Sequence, residues 1–181
     1  MKTTSIATIA PFALCALLAL AGCATRSLNV VPAAEPSTAA AFEELKSLQG
    51  TWMMTAPDGT MMVGSVFSVS SNGSVVREIM FPGEPHEMTN LYHLDGDSIV
   101  VTHYCAAGNQ PRMRCVEPEK NLFVFQLFEV TNLIENPQTG SIEHMGDLTL
   151  TISGPTTIRE SWQSYKDGVS TDHAVFDLTR G

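Results

Sequence analysis

Closely spaced turn signals run through residues 50–181 and constrain the fold more than any other feature of this chain. Six dipeptides of the kind that favours a tight reversal of the backbone are Asp58-Gly59, Asn72-Gly73, Pro82-Gly83, Asp95-Gly96, Gly154-Pro155 and Asp167-Gly168. Three softer breaks lie at 106–110, 117–120 and 136–141. Together these nine breaks leave ten short segments, a pattern typical of an antiparallel meander.

The segments between these turns read as strands. Residues 147–153 alternate strictly and place Leu148, Leu150 and Ile152 on one face. Other segments show the same two-residue period in shorter runs. Residues 122–128 are apolar on both faces, which predicts that a helix or a lipid surface covers them outside. The pattern does not fix which face points inward over 74–81 or 121–129.

A meander of ten strands either closes or leaves an edge that must be protected. Closure needs no additional protecting element. One short helix over 41–48 comes first, since Phe42, Leu45 and Leu48 recur at three-residue steps. The sequence therefore predicts an all-β fold, an antiparallel up-and-down β-barrel of about ten strands preceded by one short helix.

The N-terminal segment has the features of a processing signal. Lys2 precedes an apolar run over 6–20, and Leu20-Ala21-Gly22-Cys23 resembles the bacterial lipobox, whose cysteine is diacylglycerol-modified. We therefore expect a signal peptide over 1–22, lipidation of Cys23 with a flexible tether over 23–40, and the barrel domain over 41–181. An ordinary secretory signal cut nearby is the alternative.

The lipobox-like segment also predicts a location. Alanine rather than aspartate follows Cys23, which by resemblance to Gram-negative lipoproteins indicates the outer membrane, facing the periplasm. The expected partner is then the membrane itself, through the N-terminal lipid.

Composition excludes several classes of function. A net charge of −9 makes nucleic acid a poor partner, and 44% hydrophobic residues are enough for a folded core. The usual glycine-rich nucleotide loops, the nucleophile elbow and the zinc-protease helix motif are not found in the sequence. No cofactor and no metal site are predicted.

The start and end of the barrel segment carry a family resemblance. Leu48-Gln49-Gly50-Thr51-Trp52 opens the first strand, and Phe176-Asp177-Leu178-Thr179-Arg180 closes the last. This arrangement resembles the calycin barrels, which include lipocalins, fatty-acid-binding proteins and uncharacterised bacterial lipocalin-like proteins. In that family the tryptophan packs across the barrel floor with a basic residue from a late strand over it. The resemblance implies these structural roles for Trp52 and Arg180.

The loop between 102 and 115 holds the densest set of reactive side chains. Cys105 and Cys115 flank it, and in an oxidising periplasm such a pair predicts a disulfide. Free thiols are the main alternative. A soft metal site built from His103, Cys105 and Met113 is a third, because thiolate and thioether ligands select Cu(I).

Polar residues at inward strand positions suggest a ligand site. An apolar barrel containing carboxylates, a histidine and tyrosines is suited to orient the polar head of an amphipathic ligand. The candidate ligand-binding residues are His103, Tyr92, Asn90, Glu160, Trp162 and Glu78. The leading hypothesis is thus a membrane-anchored barrel that binds a small apolar or amphipathic molecule, without catalysis.

Three alternatives stay open. A solid barrel that binds a partner would use an outer apolar face around Phe123, Phe125 and Leu127. An enzyme would pair His103 with a carboxylate such as Glu160. A haem site like that of nitrobindin-like barrels would need His173, but the alternation of its strand turns this residue outward.

Overall fold

Each segment between two turn signals forms a strand in the computed structural model, which describes residues 30–181. The strands are β1 Gly50–Thr55, β2 Met61–Ser70, β3 Val75–Met80, β4 Met88–Asp95, β5 Ser98–Tyr104, β6 Gln110–Val116, β7 Leu122–Thr131, β8 Glu143–Gly154, β9 Thr157–Lys166 and β10 Val169–Arg180. Helix α1 spans Pro36–Lys46, and a short 3-10 turn spans Ser71–Gly73. Every strand pairs antiparallel with its neighbours in sequence, and β1 pairs with β10 to close the barrel. The predicted fold class is confirmed.

Alternation along the strands fills the interior. Leu148 and Leu150 on β8 are buried, as are Ile99 and Val101 on β5, because a two-residue period sends every second side chain to the inner face. The two tryptophans, Trp52 and Trp162, are the largest of these buried side chains. The inner face is therefore packed with side chains around the barrel.

Helix α1 begins five residues earlier than the pattern of apolar residues predicted. Its first residue is Pro36, inside the range assigned to the tether. Proline fits the first helical turn because its fixed φ suits a helix and its missing N–H has no partner there. Thr38 is already buried in this first turn. The tether predicted over 23–40 is thus too long at its C-terminal end.

The helix covers one end of the barrel, which we call the closed end. Phe42, Leu45 and Leu48 are buried in the same core as the strands. The backbone amide of Glu35 donates to Asp97 in the β4–β5 turn, at 2.8 Å. The opposite end, formed by the β1–β2, β3–β4, β5–β6, β7–β8 and β9–β10 connections, is the open end.

The structure settles the two strands whose inward face the sequence left open. Glu78 is buried and Arg77 is exposed on β3. On β7, Phe123 and Phe125 are buried inside, whereas Val124 and Phe128 are about half exposed. The partner-binding alternative placed Phe123 and Phe125 on the outer face, and that placement is wrong. Helix α1 packs near β4 and β5.

Arg180 and Trp52 join the two strands that close the barrel. They are direct neighbours in the β1–β10 pair, and the guanidinium lies 4.5 Å from the centroid of the indole. The guanidinium also donates to the backbone oxygens of Ser47, Gln49 and Pro155. The indole Nε1 donates to the Leu48 oxygen at 2.8 Å. This is the arrangement that the calycin resemblance implies.

The expectations about the leader lie outside the described residues. These are the signal peptide over 1–22 and the lipidation of Cys23. Within 30–181, no helix is long and apolar enough to cross a membrane.

Replacing Arg180 tests how much its contacts contribute to closure. Arg180→Ala removes a cation–π contact and three charge-assisted hydrogen bonds, so we expect the free energy of unfolding to fall by about 2–3 kcal/mol. Urea unfolding measures it. Arg159→Ala, on the outer face, is the matched control: it removes only an exposed ion pair with Asp177 and should leave the midpoint almost unchanged. Equal effects of both variants would contradict the role assigned to Arg180.

Candidate functional site

A row of polar side chains crosses three neighbouring strands in the middle of the barrel. Glu78 on β3 lies directly opposite Asn90 on β4, and Asn90 lies opposite His103 on β5. Direct cross-strand neighbours on one face have their Cβ atoms about 5 Å apart. All three side chains point inward and are buried, so they bond to one another.

A second group reaches this row from across the barrel. Glu160 and Trp162 lie on β9, which is five strands from β4 in either direction around the ring. The rings of His103 and Trp162 have their centroids 4.9 Å apart, and Trp162 Nε1 donates to Glu160 Oε2 at 3.1 Å. Closure of the sheet thus brings β9 onto the polar row.

Glu78 is the acceptor at the centre of this network. Its Oε2 accepts from Asn90 Nδ2 at 2.7 Å and from the Tyr92 hydroxyl at 2.9 Å. Its Oε1 accepts from the Ser65 hydroxyl at 2.6 Å. A carboxylate that accepts this many hydrogen bonds is well suited to carry its charge in a buried place.

The same bonds assign the protonated nitrogen of His103. Because Asn90 uses its amide nitrogen as donor to Glu78, its Oδ1 is left as an acceptor. This oxygen lies 2.7 Å from His103 Nδ1, so Nδ1 carries the proton. Burial lowers the pKa of His103 to about 4, so the ring is neutral at pH 7. Its Nε2 is therefore a bare acceptor.

Two acidic groups near Glu78 hold their protons more tightly than usual. The pKa of Glu160 is raised well above its ordinary value, first by burial and then by the negative charge of Glu78, which is within hydrogen-bond reach. Burial and the same charge raise the pKa of Tyr92. Burial and the neighbouring Glu78 thus both favour the protonated form of Glu160.

One atom of the network has no partner. His103 Nε2 is buried and makes no hydrogen bond, whereas the Glu160 carboxyl lies within hydrogen-bond reach of Glu78. An unpaired buried polar atom costs about 1–3 kcal/mol. In this conformation the nitrogen is closed to solvent.

The structure thus brings together all six residues predicted to bind a ligand. Each of them is at most 1% exposed, so in this conformation they bond to one another and are closed to solvent. Their role as ligand contacts stays a prediction. His103 and Glu160, the pair of the enzyme alternative, share no hydrogen bond and meet only through Trp162.

Ser65 belongs to this network and was not among the predicted site residues. It lies on β2, where Phe67, two positions away, is also buried. The alternation of β2 places Ser65 on the inner face, and that is a signal that the sequence contains. A small polar residue among the inward apolar residues of a strand indicates a polar site inside the barrel, as Glu78 does.

The predicted disulfide between Cys105 and Cys115 is not formed, and both residues are free thiols. Cys115 pairs with Ile99, near the start of β5, whereas Cys105 follows the end of that strand. The six residues from Ile99 to Cys105 are extended and span about 20 Å. Because Cys115 lies beside Ile99, the two cysteines are much farther apart than a disulfide allows. Burial raises the pKa of both thiols. Of the two, only Cys105 is partly exposed.

Cys105 instead lines a cavity at the open end, which we call the open-end cavity. It has a volume of about 370 Å³, within the range of small-molecule sites. Cys105, Met145 and the ring of Tyr165 give it apolar walls, and Glu143 and Lys166 are charged groups at its edge, with their ionic atoms 3.5 Å apart. The cavity therefore offers both apolar and ionic contacts.

The open-end cavity lies one layer above the buried network. Cys105 follows His103 by two residues, and Ser164 follows Trp162 by two. Residues two apart on a strand share a face, so Cys105 and Ser164 lie next to His103 and Trp162 on the side of the open end. Asn109 Nδ2 donates to the backbone oxygen of Glu143 at 2.8 Å, and this bond holds the β5–β6 turn against β8.

A bulge in β8 shapes one wall of the open-end cavity. The β8–β9 register shifts between Met145 and Leu148, and a Cβ on Gly146 would lie 2.2 Å from the Tyr165 ring. Glycine therefore lets this ring lie against the backbone, where it stacks on His144 with an interplanar angle of 8°. Sequence analysis did not single out these wall residues, because a bulge changes the alternation from which they would have been found.

The other candidate groups are dispersed. His173 is exposed on β10. Within residues 30–181, no three His, Cys, Asp or Glu side chains are grouped so as to hold a metal ion. Met113 is buried on β6 and lies opposite Val101.

Comparison with protein-family models and with curated proteins finds no match to this chain.

The proton on Glu160 predicts a specific dependence of stability on pH. Its pKa is higher in the folded chain than in the unfolded one, so its favourable contribution is complete below about pH 4.3 and is lost as pH rises. We expect this to lower the free energy of unfolding by up to about 1.4 kcal/mol per pH unit above that point. Glu160→Gln, which mimics the neutral acid, should gain stability relative to the native chain between pH 5 and pH 8.

Urea unfolding of both proteins at several pH values measures this difference. Stability curves that run parallel across the range would show that Glu160 is ionised in the folded state.

Proposed function

We propose that this chain is a membrane-anchored barrel of the bacterial cell envelope that binds a small amphipathic molecule at its open end, without catalysis. The observation that carries the proposal is the open-end cavity of about 370 Å³, which combines apolar walls with ionic groups at its edge. Such a surface matches a molecule with an apolar body and a polar end.

The two ends of the barrel differ in a way that supports this site. Helix α1 covers the closed end, where its Phe42 and Leu45 are buried together with Leu48, which follows the helix. The other end carries the cavity, directly above His103 and Trp162. A ligand that pushed one layer deeper would meet the unpartnered His103 Nε2. The predicted ligand-binding residues would then hold its polar group.

The proposed cellular location rests on the N-terminal segment. The lipobox-like residues Leu20-Ala21-Gly22-Cys23 support a signal peptide and a diacylglycerol on Cys23. Each buried methylene of the acyl chains would contribute about 0.8 kcal/mol to anchoring. We place the barrel at the outer membrane, facing the periplasm, with the segment before Pro36 as its tether.

The contact of Arg180 with Trp52 supports membership among the calycin barrels. A basic side chain from the last strand lying 4.5 Å over the tryptophan of the first strand is the feature that suggested the resemblance. Members of that family hold small apolar molecules, which agrees with the proposed ligand class.

A second candidate function is binding of a protein partner on the outer surface. Phe128 on β7 is about half exposed, and the guanidinium groups of Arg112 and Arg114 both lie 5.1 Å from its ring. Aromatic and arginine side chains are enriched where proteins bind one another. A filled barrel would leave this outer face as the functional surface.

Native mass spectrometry of the full chain, extracted in mild detergent from bacterial membranes, tests the proposal. We expect a bound small molecule that leaves on denaturation, and a polypeptide mass that includes the diacylglycerol on Cys23. Ala107→Trp, in the exposed β5–β6 turn, fills the open-end cavity and should abolish the adduct without changing the unfolding midpoint.

Val116→Trp is the matched control, because Val116 is exposed on the outer face near the closed end, and it should keep the adduct. A bare polypeptide in the native chain would contradict ligand binding. Loss of a co-purifying protein in Phe128→Ser would then favour the partner-binding candidate.

A further inference from the structure

A second cavity at the open end has a different chemical character. Its volume is about 390 Å³, and it lies between the β1–β2 turn, the β3–β4 loop and β10. The side chains that line it include two thioethers, one imidazole and two phenyl rings, from Met54, Met62, His86, Phe81 and Phe176. None of these residues belongs to the open-end cavity or to the buried network.

The two methionines are placed as a pair. Met54 and Met62 lie directly opposite each other on β1 and β2, so their side chains leave the same face with Cβ atoms about 5 Å apart. Gly64 provides the space for one of them, because a Cβ there would lie 3.1 Å from Met54 Cγ and 3.2 Å from Met54 Sδ. Both thioethers are only partly buried and line the cavity.

The β3–β4 loop brings His86 to the same cavity. Phe81 begins this loop with a φ of 52°, a conformation that a bulky residue rarely adopts. Its amide donates to the Gly64 oxygen at 2.8 Å, which fixes the loop against β2. The Phe81 ring then lies 4.8 Å from His86 and 5.3 Å from Phe176. The His86 ring forms no hydrogen bond within residues 30–181, so its nitrogens are available.

This combination of groups has a known chemical preference. Thioether sulfur is a soft ligand that selects Cu(I), and imidazole also binds copper. Glu84 adds a carboxylate at the edge of the cavity. Hard ions such as Mg²⁺ and Ca²⁺ prefer several oxygen ligands, which this cavity lacks among its described lining.

We infer that Met54, Met62 and His86 form a binding site for Cu(I). The site is separate from the soft-metal alternative considered for His103, Cys105 and Met113. In that set, Asn90 already occupies one nitrogen of His103, and the other is closed to solvent. The Met54, Met62 and His86 site is open at the barrel rim, where an ion can enter from solution.

Competition with a coloured Cu(I) complex tests the site. The full chain in mild detergent is titrated, without oxygen and with ascorbate present, into Cu(I) held by bathocuproine disulfonate. We expect the native chain to withdraw one equivalent. The double variant Met54→Leu with Met62→Leu keeps similar side-chain volumes and should weaken binding at least tenfold, as should His86→Ala on its exposed loop.

The chain offers a closely matched control on the same two strands. Met53 and Met61 neighbour the proposed ligands but do not line the cavity, and Met61 is exposed. Met53→Leu with Met61→Leu should leave Cu(I) affinity unchanged, as should Cys105→Ser. Circular dichroism and urea unfolding verify that each variant is folded.

Two results would overturn the inference. One is a folded Met54→Leu, Met62→Leu variant that binds Cu(I) as tightly as the native chain. The other is loss of binding in Cys105→Ser, which would assign the ion to the thiol. The inference does not rest on the proposed small-molecule function, because Ala107→Trp should keep Cu(I) binding while it removes the organic adduct.

Discussion

Burial of two carboxyl groups without a cation is the constraint on which the interior of this barrel depends. Glu78 and Glu160 meet in the middle of the barrel, and no lysine or arginine is among the buried residues of 30–181. A buried charge needs compensation from donors. Ser65, Asn90 and Tyr92 donate to Glu78, while burial raises the pKa of Glu160 and favours its neutral form. The bonds to Glu78 also determine which nitrogen of His103 is protonated.

Much of this arrangement follows from the two-residue period of a strand. The turn dipeptides divide the chain into ten strands, and alternation then places His103, Glu160 and Trp162 on the inner face. Alternation does not show which residues meet across the barrel. Contact between Glu160 on β9 and the row on β3 to β5 arises from closure with ten strands, which places β9 opposite β4. Alternation therefore identified these residues as inward-facing, and their role as ligand contacts stays a prediction.

Sequence patterns gave a wrong or an incomplete answer where a local rule competed with a longer-range one. Cysteines on either side of a loop suggested a disulfide, but the strands that hold them run past each other and separate Cys105 from Cys115. The apolar run of β7 gave no inward face, and only pairing with β6 and β8 turned Phe123 and Phe125 inside. The cavity walls at His144 and Tyr165 depend on the bulge at Gly146, which breaks the alternation used to find inward residues.

A nitrogen-15 NMR titration of the His103 ring tests the sealed network most directly. The structure predicts a neutral ring with the proton on Nδ1 and a bare Nε2 throughout pH 5–8, with a pKa of about 4. A ring that gains its second proton near pH 6.5, or that carries its single proton on Nε2, would contradict the account. Either result would mean that solvent reaches the middle of the barrel and that Asn90 and Glu78 are bonded differently.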